Sequence, residues 1–310
     1  MPLLARKKLL LAKTETTYGT DITPTGAANA IQTSNLSITP LAGPVVSRDL
    51  DRATLGNDLQ IQVGQFVQLS FMVEVAGSGT AGTAPAWGPL VEACGFSETI
   101  SAGVSVAYAP ESSPFESLTM YFHHDGQLHK LTGARGTFSM DMSAGGIPHF
   151  NFTFTGLYNT PTSTADATPT LTAFQVPKSV NDTNTTLFTL HTVNCNVITA
   201  TFDMACNVVY RNVVNSESVE IVDRAPAGQL VFEAPTIATK NWFSTALAST
   251  TGALAIIHGT VSGNLIGVSA PNVQIISPTY GESDGISTLQ CGLSFVPGSS
   301  GNDEFSILCT

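Results

Sequence analysis

Hydrophobic and polar positions alternate with a period of two along much of the chain. Gln65 to Val75 (QFVQLSFMVEV) keeps this alternation for most of its length, and so does Phe150 to Thr155 (FNFTFT). A period of two places every second side chain on one face, the pattern of a half-buried β-strand. Met120–His124 and Gln127–Leu131 flank Asp125-Gly126, a dipeptide suited to the positive φ angles of a two-residue hairpin turn. That turn predicts His124 opposite Gln127 and Phe122 opposite His129. Helical signals are confined to two short stretches. Pro89–Cys94 follows Trp87 and stops at Gly95, while Asn241 stands where it caps Trp242–Ala248. The 27 glycines and 17 prolines suit many short strands separated by turns.

The two tryptophans each introduce a short helix, and they belong to an ordered set of matches. Val45-Val46-Ser47-Arg48 recurs as Val208-Val209-Tyr210-Arg211, and Gly64-Gln65-Phe66-Val67 as Gly228-Gln229-Leu230-Val231. Trp87 recurs as Trp242, and Gly156-Leu157-Tyr158 as Gly292-Leu293-Ser294. Their shared order predicts a tandem duplication. The Thr/Ser/Asn/Pro-rich stretch from Tyr158 to Thr186 is the natural boundary. We therefore expect an N-terminal arm over 1–30, a first domain over 31–160 and a divergent second copy over 161–310. Leu171–Val176 is expected to add a strand to the second domain.

Composition narrows the function. Charged residues make up 11% of the chain, well below the ~25% usual for soluble domains. The net charge of -11 argues against a duplex-gripping protein, which must neutralise phosphates. No apolar run approaches the ~20 residues of a membrane helix, so no membrane partner is expected. Sparse charge beside 43% hydrophobic residues is reconciled if much of the surface is buried against copies of the same chain. The apolar run Leu9–Ala12 is too short for an export signal, so synthesis in the cytoplasm is expected. Five scattered cysteines without a C-x-x-C pair read as buried reduced thiols.

Candidate chemistry is thin. His123 and His124 point to opposite faces of the predicted hairpin, so a solvated tip is favoured over a metal site that would also recruit His129. No Gly-x-Ser-x-Gly elbow, phosphate loop or local carboxylate pair is found. No catalytic, metal or cofactor-binding residue is assigned.

The order of features from LARKKLLLAKTETTYGTDITPTGAANAI, through Asn35–Ile38, Ser47–Asn57, the Gln65–Val75 strand and PAWGPL with Ala93–Phe96, to the strand pair ending at Leu157 resembles the major tail tube proteins of long-tailed, non-contractile bacteriophages. The resemblance is fuller over 1–160 than over 190–310. It implies a mainly β fold of two tandem β-sandwich or barrel-like domains, each with one short flanking helix. It further implies a virion protein whose subunits join sheet edge to sheet edge into rings. Stacked rings would form the conduit for DNA ejection, through which DNA passes without specific binding. Partners would be other copies of the chain, other tail proteins at the tube ends, and a tape-measure protein in the lumen before ejection. With two copies per chain, three chains would close a ring otherwise built from six, whereas a second copy that decorates the exterior would leave six chains per ring. A capsid decoration protein or a tandem β-sandwich adhesin is the competing class.

Contact residues are expected in two places. Arg6, Lys7, Lys8 and Lys13 would carry the arm onto an acidic neighbouring subunit. Arg48, Asp49, Asp51, Arg52 and Asp58, with Arg211, Glu217, Glu220, Asp223 and Arg224 as their counterparts, would reach from one ring to the next.

Overall fold

The computed structural model describes residues 2–310. In the first half, β1 (Lys8–Thr14), α1 (Gly26–Asn29), β2 (Ala30–Ile31) and β3 (Ser34–Ala42) lead into a hairpin of β4 (Val45–Ser47) and β5 (Gln60–Gln62). Then follow β6 (Phe66–Glu74), α2 (Gly88–Glu92) and the hairpin β7 (Phe96–Ser101) and β8 (Ser105–Pro110). This half ends with β9 (Leu118–His124), β10 (Gln127–Asp141), β11 (His149–Tyr158) and β12 (Thr162–Ser163). The second half holds β13 (Thr185–Leu190), β14 (Val193–Asn194), β15 (Val197–Asp203), the hairpin β16 (Cys206–Val213) and β17 (Ser216–Arg224), and β18 (Ala227–Glu233). It closes with α3 (Trp242–Leu247), β19 (Thr251–His258), β20 (Ile266–Ser283), β21 (Ile286–Phe295) and β22 (Ser306–Cys309). The chain is mainly β, as expected.

Two antiparallel ladders run in the same order. The first is β3-β6-β11-β10-β9-β1-β2. The second is β15-β18-β21-β20-β19-β13-β14. The long strands β10 and β20 occupy the same place, and each carries a bulge facing its hairpin partner, between Thr132 and Arg135 in one and Ile276 and Thr279 in the other. Such a bulge re-aims a strand, and both strands change partners along their length. The pairings branch but never close on themselves, so neither half is a closed barrel. Aligned on the bulges, Val67 matches Leu230, and both are buried. The sequence match had paired Val67 with Val231, which faces the other way. Two of the four matched segments are therefore one residue out of step, because strand parity is set by burial.

A single cluster of buried residues runs through both halves. Phe138, Phe150, Phe152 and Phe154 pack together beneath Trp87, whose Nε1 donates to Ala76 O at 2.8 Å. Asn241 caps α3 by accepting from Ser244 N at 3.0 Å. The Asp125-Gly126 hairpin has the expected register, with His124 opposite Gln127 and Phe122 opposite His129.

Two expectations are corrected. Residues 8–14 are a strand of the first ladder, not an arm: β1 pairs with β9 from Lys8↔His124 to Thr14↔Leu118. Leu10, Leu11 and Ala12 are buried, and Glu15 accepts from Gly19 N, Ser117 Oγ, Thr119 Oγ1 and Gly133 N. Leu171–Val176 is no strand. It begins as a turn, with Phe174 N donating to Leu171 O at 3.0 Å, and Leu171 and Ala167 pack on Leu11, Tyr121 and Leu128. The linker thus straps the back of the first ladder.

Candidate assembly surfaces

The two ladders meet in one sheet. The C-terminal end of β10 pairs with β15, Ser139↔Asp203, Met140↔Phe202 and Asp141↔Thr201. Met142 N and Ala144 N extend the joint by donating to Ala200 O and Ile198 O, each at 2.8 Å. The result is a front sheet of eight antiparallel strands, β3-β6-β11-β10-β15-β18-β21-β20. One face supplies the core through residues such as Leu69, Phe152, Met140, Phe202, Phe232 and Leu289. The other face holds Ser70, Thr153, Thr137, Thr201, Gln229 and Gln290 in paired rows of hydroxyls and amides. The carboxylates of Glu74, Asp141, Asp203 and Glu233 stand on this polar face. They follow from the outward parity of each strand, a signal present in the sequence once register is known. Arg135 is the one Lys or Arg among the described residues of that face.

Both ends of this sheet have an open edge. Among the described residues, β3 pairs only with β6. β20 loses its β19 neighbour after Gln274, so among the described residues its later part pairs only with β21. Ile276 is 44% exposed there and Tyr280 62%. An open edge is a row of unpaired N–H and C=O groups, a template for another chain.

β3 and β15 run in the same direction, so the hairpins that follow them leave the sheet at the same end. Phe66 at the foot of the first hairpin packs at a tilt against Tyr210 of the second, and Gln65 N donates to Tyr210 Oη at 3.2 Å. The first hairpin lies open to solvent. Val45, Val46, Leu50, Leu55, Leu59 and Ile61 are all exposed. The second hairpin lies back on the first half. Arg135 Nη1 donates to Val219 O at 2.8 Å and pairs with Glu220, and Val219 N donates to Tyr18 Oη at 2.6 Å.

Several expected contact residues are satisfied within the chain. Lys7 Nζ meets Asp125 Oδ1 at 2.8 Å, and this partner raises the Lys7 pKa and lowers that of Asp125. Lys8 and Lys13 donate to Leu36 O and Ile22 O at 2.9 and 3.3 Å. Arg224 binds Glu304, Glu111 O and Asn302 Oδ1, and Glu220 binds Arg135, so both anchor the second hairpin's base rather than reaching outward. Arg52 pairs with Asp58 across the first hairpin's loop. Glu217 accepts from Tyr210 Oη at 2.5 Å, and Asp223 accepts from Arg224 N at 2.8 Å. Arg6, Arg48, Asp51 and Arg211 have no side-chain partner among the described residues, and Asp49 turns the loop with a φ of 44°. The unpaired candidates concentrate on the first hairpin.

All five cysteines are buried, and burial pushes the Cys195 and Cys206 thiols up to about 11 and those of Cys291 and Cys309 to about 12. Such thiols are poor nucleophiles at neutral pH. His123 is buried and its pKa is lowered by that burial. The profile of the family described as phage tail tube protein matches residues 5–295. No protein of curated function matches the chain.

Proposed function

Since the chain belongs to the phage tail tube protein family, we propose that three copies close edge to edge into a ring and that stacked rings form the tail tube. The protein is a structural component of the tail. The eight-strand front sheet carries the reading, because it already contains one complete wedge-to-wedge joint, β10 against β15, inside a single chain. The shared strand order supports two tube units per chain, one from β1 to β12 with the linker strapped on its back and one from β13 to β22, each supplying four front strands. The outer edge of β3 in one copy then pairs with β20 beyond Gln274 in the next. Each contact is heterologous and head to tail, as cyclic closure requires. Pairing also removes the two open edges that would otherwise invite uncontrolled aggregation.

The polar face becomes the bore. Glu74, Asp141, Asp203 and Glu233 repel a duplex that carries one negative charge per ~1.7 Å, so DNA slides without adhering. Hydroxyls and amides between them offer no array of cations to hold phosphates. The same bore would house a tape-measure protein before ejection, and other tail proteins would meet the ring faces at the tube ends.

Electron microscopy of the purified protein tests this proposal. Tubes with three-fold symmetric cross-sections are expected, with front strands lining the lumen. A monodisperse monomer at all concentrations, or a six-chain ring with the second half hung outside, would contradict it.

A further inference from the structure

We propose that the exposed β4–β5 hairpin of one copy seats over the β20 bulge of the next copy in the same ring, rather than reaching to the ring above. The inference rests on the ring reading and takes the internal joint as its template. At the β10 bulge the neighbouring hairpin covers the strand. Tyr18 packs against Gly133, where an added Cβ would lie 2.8 Å from the Tyr18 ring. Val219 ties Tyr18 and Arg135 together through both its backbone groups. The matching bulge of β20 has no such cover among the described residues.

A cleft of about 630 Å³ opens there instead, with Ile276, Leu293, Phe295 and Val222 in its wall. Its polar side holds Asp223, Glu304 and Arg224, with Arg224 already paired to Glu304. Glu304 is 4% exposed and accepts from Arg224 Nε through Oε1, while Oε2 is buried with no donor. Asp223 lines the same cleft. The first hairpin offers the complement. Val45, Val46 and Ile61 are exposed apolar residues on its two strands, and Arg48 at its shoulder is a cation without a partner among the described residues. The occupant is therefore a second copy of this chain. Apolar hairpin residues cover the exposed Ile276 and Val222, and Arg48 faces Asp223 at the cleft's rim.

Heterologous pairing gives a complementation test. A Val46→Glu chain spoils the hairpin but keeps the cleft, and an Ile276→Glu chain does the reverse. Both positions are exposed, and circular dichroism melts would check folding. Each variant alone should remain a 32.4 kDa monomer, and an equimolar mixture should stop at two chains, about 65 kDa, by native mass spectrometry. If Val46→Glu still closes three-chain rings and loses only stacking, the hairpin acts between rings and the inference is overturned while the ring reading stands. A wild type that never closes with three chains removes the ring reading and the inference with it. Should a glutamate variant unfold, mixed Val46→Cys and Ile276→Cys chains treated with a short bismaleimide decide the point. One cross-linked pair per joint supports the inference, and assembled rings without cross-links refute it.

Discussion

The aromatic rings of Phe66 and Tyr210 lie 4.8 Å apart, joining the foot of the first hairpin to the second. Phe66 opens β6 and Tyr210 lies in β16, so this contact joins a front strand of the first half to the hairpin of the second at one end of the front sheet. Only the second hairpin finds a bed inside the chain. The first is left bare, and that asymmetry is what an unclosed three-chain ring would display.

Truncating the first strand should unfold the protein rather than free an arm. Leu10 is fully buried between Ile31 and Phe122. Leu10→Ala should cost about 2–5 kcal/mol, read as a lower urea midpoint, and deletion of 2–13 should abolish cooperative unfolding. A deletion that melts like wild type would show that β1 is dispensable.

Arg135 and Glu220 should contribute unequally to the internal joint. Arg135 is buried and donates to Val219 O, Phe115 O and Glu116 O besides pairing with Glu220, whose side chain is 39% exposed. Removing the arginine strands three carbonyls, so Arg135→Ala should cost about 2–4 kcal/mol and Glu220→Ala under about 1 kcal/mol. Chemical denaturation of both single variants would reveal the order. Equal losses would mean that the ion pair alone matters.

Stability should fall as pH rises from about 4.5 to about 7. Burial first, then the carboxylates of Glu98, Glu116 and Glu111, lift Glu92 to about 7 from the ordinary 4.5. The folded state holds that proton longer than the unfolded chain does, so folding is disfavoured as the pH climbs through this window. Glu92→Gln should flatten the decline in melting temperature between these pH values. An unchanged slope would place its origin elsewhere.

What the sequence made legible was local. Turn chemistry at Asp125-Gly126 and capping at Asn241 depend on a few neighbours, and both were readable. β1 was obscured because its apolar core, Leu9–Ala12, sits among lysines and threonines like a frayed end. Only pairing with β9, more than a hundred residues away, makes it a strand. The matches at Val67 and Gly156 slipped by one residue because short motifs carry no parity. The roles of Arg224 and Glu220 were misread because their partners, Glu304 and Arg135, are distant in sequence. The acids proposed to face the bore could not be chosen until strand pairing fixed which face each strand turns outward.

The polar face should tolerate charge reversal during assembly but not during DNA passage. Glu74→Lys with Asp203→Lys changes the bore by four charges per chain while leaving the open edges untouched. Tubes should still form, and they should bind short duplex DNA in a strongly salt-dependent manner that wild-type tubes lack. DNA binding identical to wild type would place this face away from the lumen.

The mass of the smallest closed ring tests the central claim most directly. Native mass spectrometry of rings released from tubes should give three chains of 32.4 kDa, about 97 kDa, with every ring carrying three internal and three intermolecular sheet joints. A ring of six chains, about 194 kDa, would contradict the account, because the second half would then lie outside the wall that the front sheet is proposed to form.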